Sequence, residues 1–208
     1  MNDVKDEYRP RQSLRPSSAE IDERILDLTA GLLAKHGVKA MSVSMVAEAS
    51  GYSKAAVFRR FKDKEHLVDA ALRRCADLGK QVLLAVDGIP AGRERGRTAL
   101  RAMLDLAFLW PGFIALALAS IAIRERDEFD GRLGELGNAL LAAFSIPTRE
   151  NRTDAAPLFR ALGALSALSV LSLVYSRYTD SETARGLILD TSEAALYGEP
   201  PTALFDRP

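Results

Sequence analysis

One cysteine, one tryptophan and two histidines are all that 208 residues provide of those types. The single thiol, Cys75, excludes a disulfide within the chain and a cysteine-rich zinc site. His36 and His66 leave little for imidazole-based metal chemistry. Net charge is missing too: 28 basic residues balance 28 acidic ones. No bulk field therefore attracts nucleic acid, and any basic surface has to be local. The first fifteen residues lack an apolar run, so no secretory leader is expected. The uncharged runs Phe108–Ile123 and Ala161–Ser176 fall short of the roughly 18–20 residues of a spanning helix. Pro111-Gly112 interrupts the first, and Ala, Gly and Ser crowd the second. Core helices of a cytoplasmic protein, with no membrane partner, are the expectation. Period-two alternation and hairpin dipeptides between β-branched runs are also absent, which points to an all-α fold. No nucleophile–base pair, metal cluster or phosphate loop stands out, so neither an enzyme nor a cofactor is expected.

What the chain does contain is helix punctuation. Residues 1–17 mix charge with proline and read as a disordered basic arm. It is either a solvated tail or, through Arg9, Arg11 and Arg15, able to reach a minor groove. Ser17-Ser-Ala-Glu20 fits a capping box that opens a first helix. Ile21, Ile25, Leu28 and Leu32 line one face of it, and Gly37 supplies a left-handed stop. Ser42 can cap a second helix reaching Ser50. Gly51 allows positive φ, and Ser53 can cap a third helix. Met41 with Val46, and Tyr52 with Val57, occupy the positions of hydrophobic staples. Asp63 can cap a fourth helix running from Lys64 towards Asp87. Its stripe of Leu67, Ala71, Cys75, Leu78 and Val82 makes Cys75 a core thiol rather than a redox sensor. Beyond the break at Gly88–Gly92, further helices are expected at Arg93–Trp110, Gly112–Arg126, Asp127–Phe144, Ala155–Tyr178 and Ser181–Tyr197.

The segment 42–61 is where chemistry concentrates. Two short capped helices about three residues apart form a helix-turn-helix, with Ala47 small where the helices cross and Val57 turned to the core. From Ser53 to Lys64 the chain carries Lys54, Arg59, Arg60, Lys62 and Lys64 against one acid, Asp63. Cations there neutralise phosphates and release counterions. Ser42 and Ser53, each at a helix N-terminus, and Ser44 beside them can donate hydroxyls to phosphate. Ala55 and Ala56 let the helix sit deep in a major groove against thymine methyls, while Lys54 and Arg59 can read guanine. A charge run alone would be an ordinary solvated face. Joined to the turn, it points to double-stranded DNA. The expected interface is Ser42, Ser44, Tyr52, Ser53, Lys54, Ala55, Ala56, Phe58, Arg59, Arg60 and Lys64.

The residues Arg24-Ile-Leu-Asp, Leu33-Ala-Lys-His-Gly37, Ser42, Val46-Ala-Glu-Ala-Ser-Gly-Tyr-Ser-Lys54, Val57-Phe-Arg-Arg-Phe61 and Lys64-Glu-His-Leu67 resemble the N-terminal domain of the TetR family of bacterial transcriptional regulators. The resemblance covers about residues 18–78 and implies that domain there, with 79–208 as a helical dimerisation and effector-binding domain. It also implies a homodimer, mostly repressive, released from a pseudo-palindromic operator by a small molecule. Two positions depart from the family pattern. Phe58 stands where a tyrosine with a phosphate-binding hydroxyl is usual, and Arg60 where a histidine is usual. Tyr52 replaces a commonly aliphatic residue and could supply a hydroxyl from the turn.

Ala155–Tyr178 is apolar on too many sides for a surface helix and has to bury two faces. Leu158, Leu162, Leu165, Ser169 and Ser172 on it, with Leu189 on the last helix, are the expected contacts of a two-fold four-helix interface. Burial within one chain is the alternative. An apolar effector pocket would draw on Met103, Phe108, Trp110, Phe113, Leu118, Phe144 and Tyr175. Asp105 is the one ionisable group in its segment able to orient a ligand. A second possibility is a DNA-binding dimer whose C-terminal domain senses nothing.

Overall fold

A computed structural model describes residues 16–122, 130–147 and 154–198. The expected arm, apart from its last two residues, lies outside the described residues. So do the end of the helix expected to reach Arg126 and the start of the one expected from Asp127. Among the described residues no strand forms. The helices are α1 (Ser18–Ala40), α2 (Val43–Ser50), α3 (Lys54–Phe61), α4 (Lys64–Ala85), α5 (Arg93–Leu109), α6 (Pro111–Ala122), α7 (Asp130–Ala143), α8 (Ala156–Val174) and α9 (Ser181–Tyr197). A 3-10 turn, Tyr175–Arg177, extends α8.

Caps define the N-terminal head. The capping box at α1 is reciprocal: Ser17 Oγ accepts from Glu20 N–H, and Glu20 accepts from Ser17 N–H. Ser42, Ser53 and Asp63 cap α2, α3 and α4. Gly51 takes φ 73°, the left-handed value that turns the chain between α2 and α3. Gly37 also has positive φ, but helical turns resume beyond it to Ala40 rather than stopping. The face of α1 that is most buried is Ile25, Leu26, Thr29, Ala30 and Leu33, while Ile21, Leu28 and Leu32 are only half-buried. The sequence stripe was rotated because α1 packs against α6 as well as α2 and α4, so tertiary contact overrides the narrow amphipathic pattern.

The expected boundary at 78/79 falls inside α4, which carries the head into the C-terminal helices. Leu67, Ala71, Cys75, Leu78 and Val82 are all buried, as the stripe requires. Arg95 stitches the ends of three elements together. Its guanidinium donates to the carbonyls of Val86 (2.7 Å), Ile89 (2.8 Å), Ala142 (3.2 Å) and Ala143 (3.0 Å), just beyond α4 and at the end of α7.

Helices α8 and α9 pair as a hairpin. With its 3-10 extension, α8 is long and apolar enough to cross a membrane by length and composition. Its inner face explains part of that apolarity: Ala161, Ala164, Leu165 and Leu168 are buried against neighbouring helices of the same chain. This corrects the expected interface at three of its positions. Leu165, Ser169 and Ser172 are buried within the chain, and Leu158, Leu162 and Leu189 are half-buried. The apolar face left open is another one, with Phe159 at 71 % exposure, Val170 and Leu173 on α8, and Leu187 at 58 % on α9.

Candidate nucleic-acid interface

One side of α3 carries the exposed cations. Lys54, Ala55, Phe58, Arg59 and Lys62 are exposed, at spacings that place them on one helical face; Val57 is buried and Phe61 half-buried behind them. The Lys54 ammonium lies 5.7 Å from the centroid of Phe58, a cation–π contact that steadies an otherwise flexible side chain. Ser42 Oγ accepts from Met45 N–H at 3.3 Å and Ser53 Oγ from Ala56 N–H at 3.1 Å. Each hydroxyl still has its own proton to donate, so either helix N-terminus presents a donor and a positive dipole end to an anion. Ser44 is exposed in the first turn of α2, and Ala56 is half-buried. Tyr52 is half-buried, its ring packed against the core.

Two expected contacts point elsewhere. The Arg60 guanidinium turns back onto α1, donating to Ser18 O (3.2 Å), Ser18 Oγ (2.9 Å) and Asp22 Oδ1 (2.5 Å). These bonds tie α3 to the start of α1. Lys64 Nζ donates to Lys39 O at 3.2 Å, at the end of α1. The acceptors Ser18, Asp22 and Lys39 lie far from Arg60 and Lys64 in sequence, and no local spacing signals such pairs.

Lys62, by contrast, closes α3 on the exposed side. It holds φ 54° and ψ −58°, and Asp63 N–H donates to Phe61 O at 2.5 Å, a γ-turn of the rare positive-φ kind. Asp63 then accepts from His66 N–H at 2.8 Å and meets His66 Nδ1 at 2.7 Å. The backbone N–H, followed by the imidazole, holds its carboxyl below the ordinary value.

The expected pocket divides among three places, with Leu118 in none of them. Met103, Trp110 and Phe113 line an apolar cavity between α4, α5, α6 and α7, together with Cys75, Leu106 and Leu136. It encloses about 30 Å³, space for about two water molecules. Burial in this apolar setting pushes the Cys75 thiol up to about 12, with Asp27 adding to the rise, so it stays protonated and unreactive. Phe108 and Tyr175 instead stack together 4.7 Å apart, with the Arg185 guanidinium 4.5 Å over Phe108. Asp105 is 65 % exposed and pairs with Arg185 at 2.5 Å, so it orients nothing inside the cavity. Helical geometry accounts for this: Met103 and Asp105 are two residues apart and point to different faces. Leu118 is half-buried and outside the cavity. Phe144 lines a separate surface groove of about 490 Å³ with Arg160, Leu196 and Tyr197. Among the described residues no group of three or more His, Cys, Asp and Glu could hold a metal ion.

Comparison with known proteins bears on the head first. A family model described as bacterial regulatory proteins, tetR family, matches residues 25–71. A protein of Bacillus subtilis (strain 168), named as the uncharacterized HTH-type transcriptional regulator YvkB, is 35 % identical over 75 residues. That stretch covers 36 % of this chain and 38 % of the Bacillus protein, so the likeness spans well under half of its length. Among solved structures, a TetR-like transcriptional regulator from Rhodococcus sp. RHA1 matches with a TM-score of 0.56 at 17 % identity, covering 89 % of this chain and all (100 %) of that one. AibR, solved in complex with isovaleryl coenzyme A and operator DNA, matches with a TM-score of 0.52 at 21 % identity, covering 86 % of this chain and 99 % of that one. At these identities the structural likeness concerns the all-α fold.

Proposed function

We propose that this chain, whose residues 25–71 match the model of bacterial regulatory proteins, tetR family, is a homodimeric transcriptional regulator that seats α3 in the major groove of its operator. The exposed face of α3 carries the proposal: Lys54, Arg59 and Lys62 flank the small Ala55 on one side of a helix whose other side is anchored. Cations on that face neutralise phosphates, while Ala55 lets the helix approach base edges. Ser42, Ser44 and Ser53 add phosphate donors at helix N-termini. Two copies joined by the apolar face of α8 and α9 would present two heads to half-sites about 34–36 Å apart.

Release from DNA follows from a population shift. A small apolar effector that entered between α4, α5, α6 and α7 would have to widen a cavity of about 30 Å³. The wall that moves includes α4, which leads directly into α3 through the turn at Lys62. Repression relieved by such a ligand is the proposed mode, and AibR, a protein of like fold solved with both a ligand and operator DNA, is consistent with it. The small volume favours a second reading in which the C-terminal domain only dimerises or recruits a partner. Thermal-shift measurement against a panel of apolar acids, amines and thioesters separates the two, because a sensor gains stability with one class and a pure dimerisation domain with none.

Gel shifts on the DNA upstream of the chain's own coding sequence test the central proposal. A discrete complex at low salt that weakens steeply as salt rises is expected. Binding no tighter than to random DNA of equal length, at every salt concentration, would sink it.

A further inference from the structure

The head and the C-terminal helices share a buried carboxylate. Asp27, on α1, is 9 % exposed, and Asp27 Oδ1 accepts from Phe113 N–H of α6 at 2.9 Å. Gly112 N–H also acts on the same carboxyl. These are first-turn amides of α6, which have no partner within their own helix and sit at its positive end. Asp27 therefore supplies from another domain what a local cap would ordinarily supply; Trp110 and Pro111, which begin α6, have no side-chain oxygen to accept these bonds.

The backbones meet as closely as the side chain does. A methyl group on Gly112 would collide with the Asp27 carbonyl, and one on Gly31 would lie 3.5 Å from Gly112 Cα. Glycine at 112 is required for this approach, not for a special φ. The far side of the same turn borders the apolar cavity: Trp110, Phe113 and Ile114 line it, and Cys75 Sγ lies 4.0 Å from Phe113 O. One turn of α6 thus touches the cavity on one side and α1 on the other.

We propose that Asp27 is a latch that couples the cavity to the DNA-reading head through α1, so that displacement of α6 moves the head directly and not only by way of α4. The coupling rests on the reading of the chain as a DNA-binding regulator only for its consequence; the latch itself is a contact between two helices. A packed interface of this kind has few intermediate positions. Either the α6 amides stay on the carboxylate and α1 follows α6, or they leave it and lose their acceptor.

Ala117 is 8 % exposed and lines the cavity, so Ala117→Leu overfills it and displaces α6 without a ligand. A double-mutant cycle of Ala117→Leu with Asp27→Ala reads the latch in two ways: operator affinity, and hydrogen exchange of the amides in 42–61. Ala117→Leu is expected to weaken DNA binding at least tenfold with Asp27 in place and less than twofold with Asp27→Ala. Exchange at 42–61 should rise at least tenfold in the first background and stay within twofold in the second. Effects that are the same in both backgrounds would overturn the latch. If no form binds DNA, the regulator reading fails, while the exchange cycle still decides the latch. Should Asp27→Ala not fold, Asp27→Asn replaces it: the acceptor shape survives and the charge at the helix N-terminus is lost. A coupling at least threefold smaller is then expected, and an undiminished one counts against the latch.

Discussion

At the scale of single residues, function on α3 divides by direction. Arg59 and Lys62 face outward, whereas Arg60 is tied to Ser18 and Asp22. Arg59→Ala should therefore relax preference at one or two base positions, costing about 1–3 kcal/mol on the best site and little on random DNA. Lys62→Ala should weaken all sequences alike and flatten the salt slope by about one unit. Competition binding on operator variants at several salt concentrations distinguishes these outcomes, and the reverse pattern would mean the helix docks on another face. Asp27 gives a second test. Burial raises its carboxyl above the ordinary 3.8; the amides of Phe113 and then Gly112 oppose this, and Glu23, itself paired with Arg74, adds to the rise. A raised folded-state value favours the protonated form on folding, so its contribution is present below 3.8 and is lost as pH rises through the folded value. Asp27→Asn removes that dependence. The Tm difference, variant minus parent, should therefore grow in the variant's favour between 3.8 and neutrality. A trend of opposite sign would show that the amides outweigh burial.

Between residues and the molecule stand the helix ends. Five helix starts are set locally, by Ser17, Ser42, Ser53, Asp63 and Asp180 accepting from amides two or three residues on. The distal ends of α4 and α7 are held differently, by Arg95 from α5. A guanidinium presents several donors in a fixed plane and can serve four carbonyls together, which an ammonium on a flexible stem cannot. Arg95→Lys is expected to cost roughly 2–3 kcal/mol by chemical denaturation despite keeping the charge, since several carbonyls lose a charged partner. A loss under about 0.5 kcal/mol, the range of ordinary surface changes, would show that water replaces those bonds freely.

At the scale of the whole molecule, α8 and α9 present an outer apolar face. Phe159, Val170, Leu173 and Leu187 remain exposed on helices whose opposite faces are packed, and a partner that covered them would remove large apolar side chains from water. With a second copy as the occupant, an isologous contact buries each of these residues twice. Leu173→Asp is expected to weaken self-association at least tenfold, or about 1.4 kcal/mol, as read by sedimentation over a concentration series. Leu165→Ala should lower stability instead, by roughly 2–5 kcal/mol, because Leu165 is buried inside one chain. Equal dissociation by both variants, or none by either, would argue that the face is not a contact between copies of this chain.

Sequence alone determined the elements of the head and their order. Caps, the positive-φ turn at Gly51 and the stripe through Cys75 are local signals, and local hydrogen bonding decides them. It also located the cationic helix, since charge and turn chemistry sit within twenty residues of one another. Which cations face outward was not legible, because Arg60 finds its partners 38 to 42 residues away. Nor was the division of the apolar helices into inner and outer faces. Leu165 and Phe159 are alike in hydrophobicity, and only packing of α8 against α5, α6 and α9 turns one inward and leaves the other to solvent. Asp105 and Asp27 make the same point in opposite directions. Both are acids set among apolar residues, but only the approach of α6 to α1 buries Asp27, while Asp105 lies on the open side of α5 beside Arg185. Local hydrogen bonds fix where helices begin; the approach of one helix to another fixes what each side chain then does.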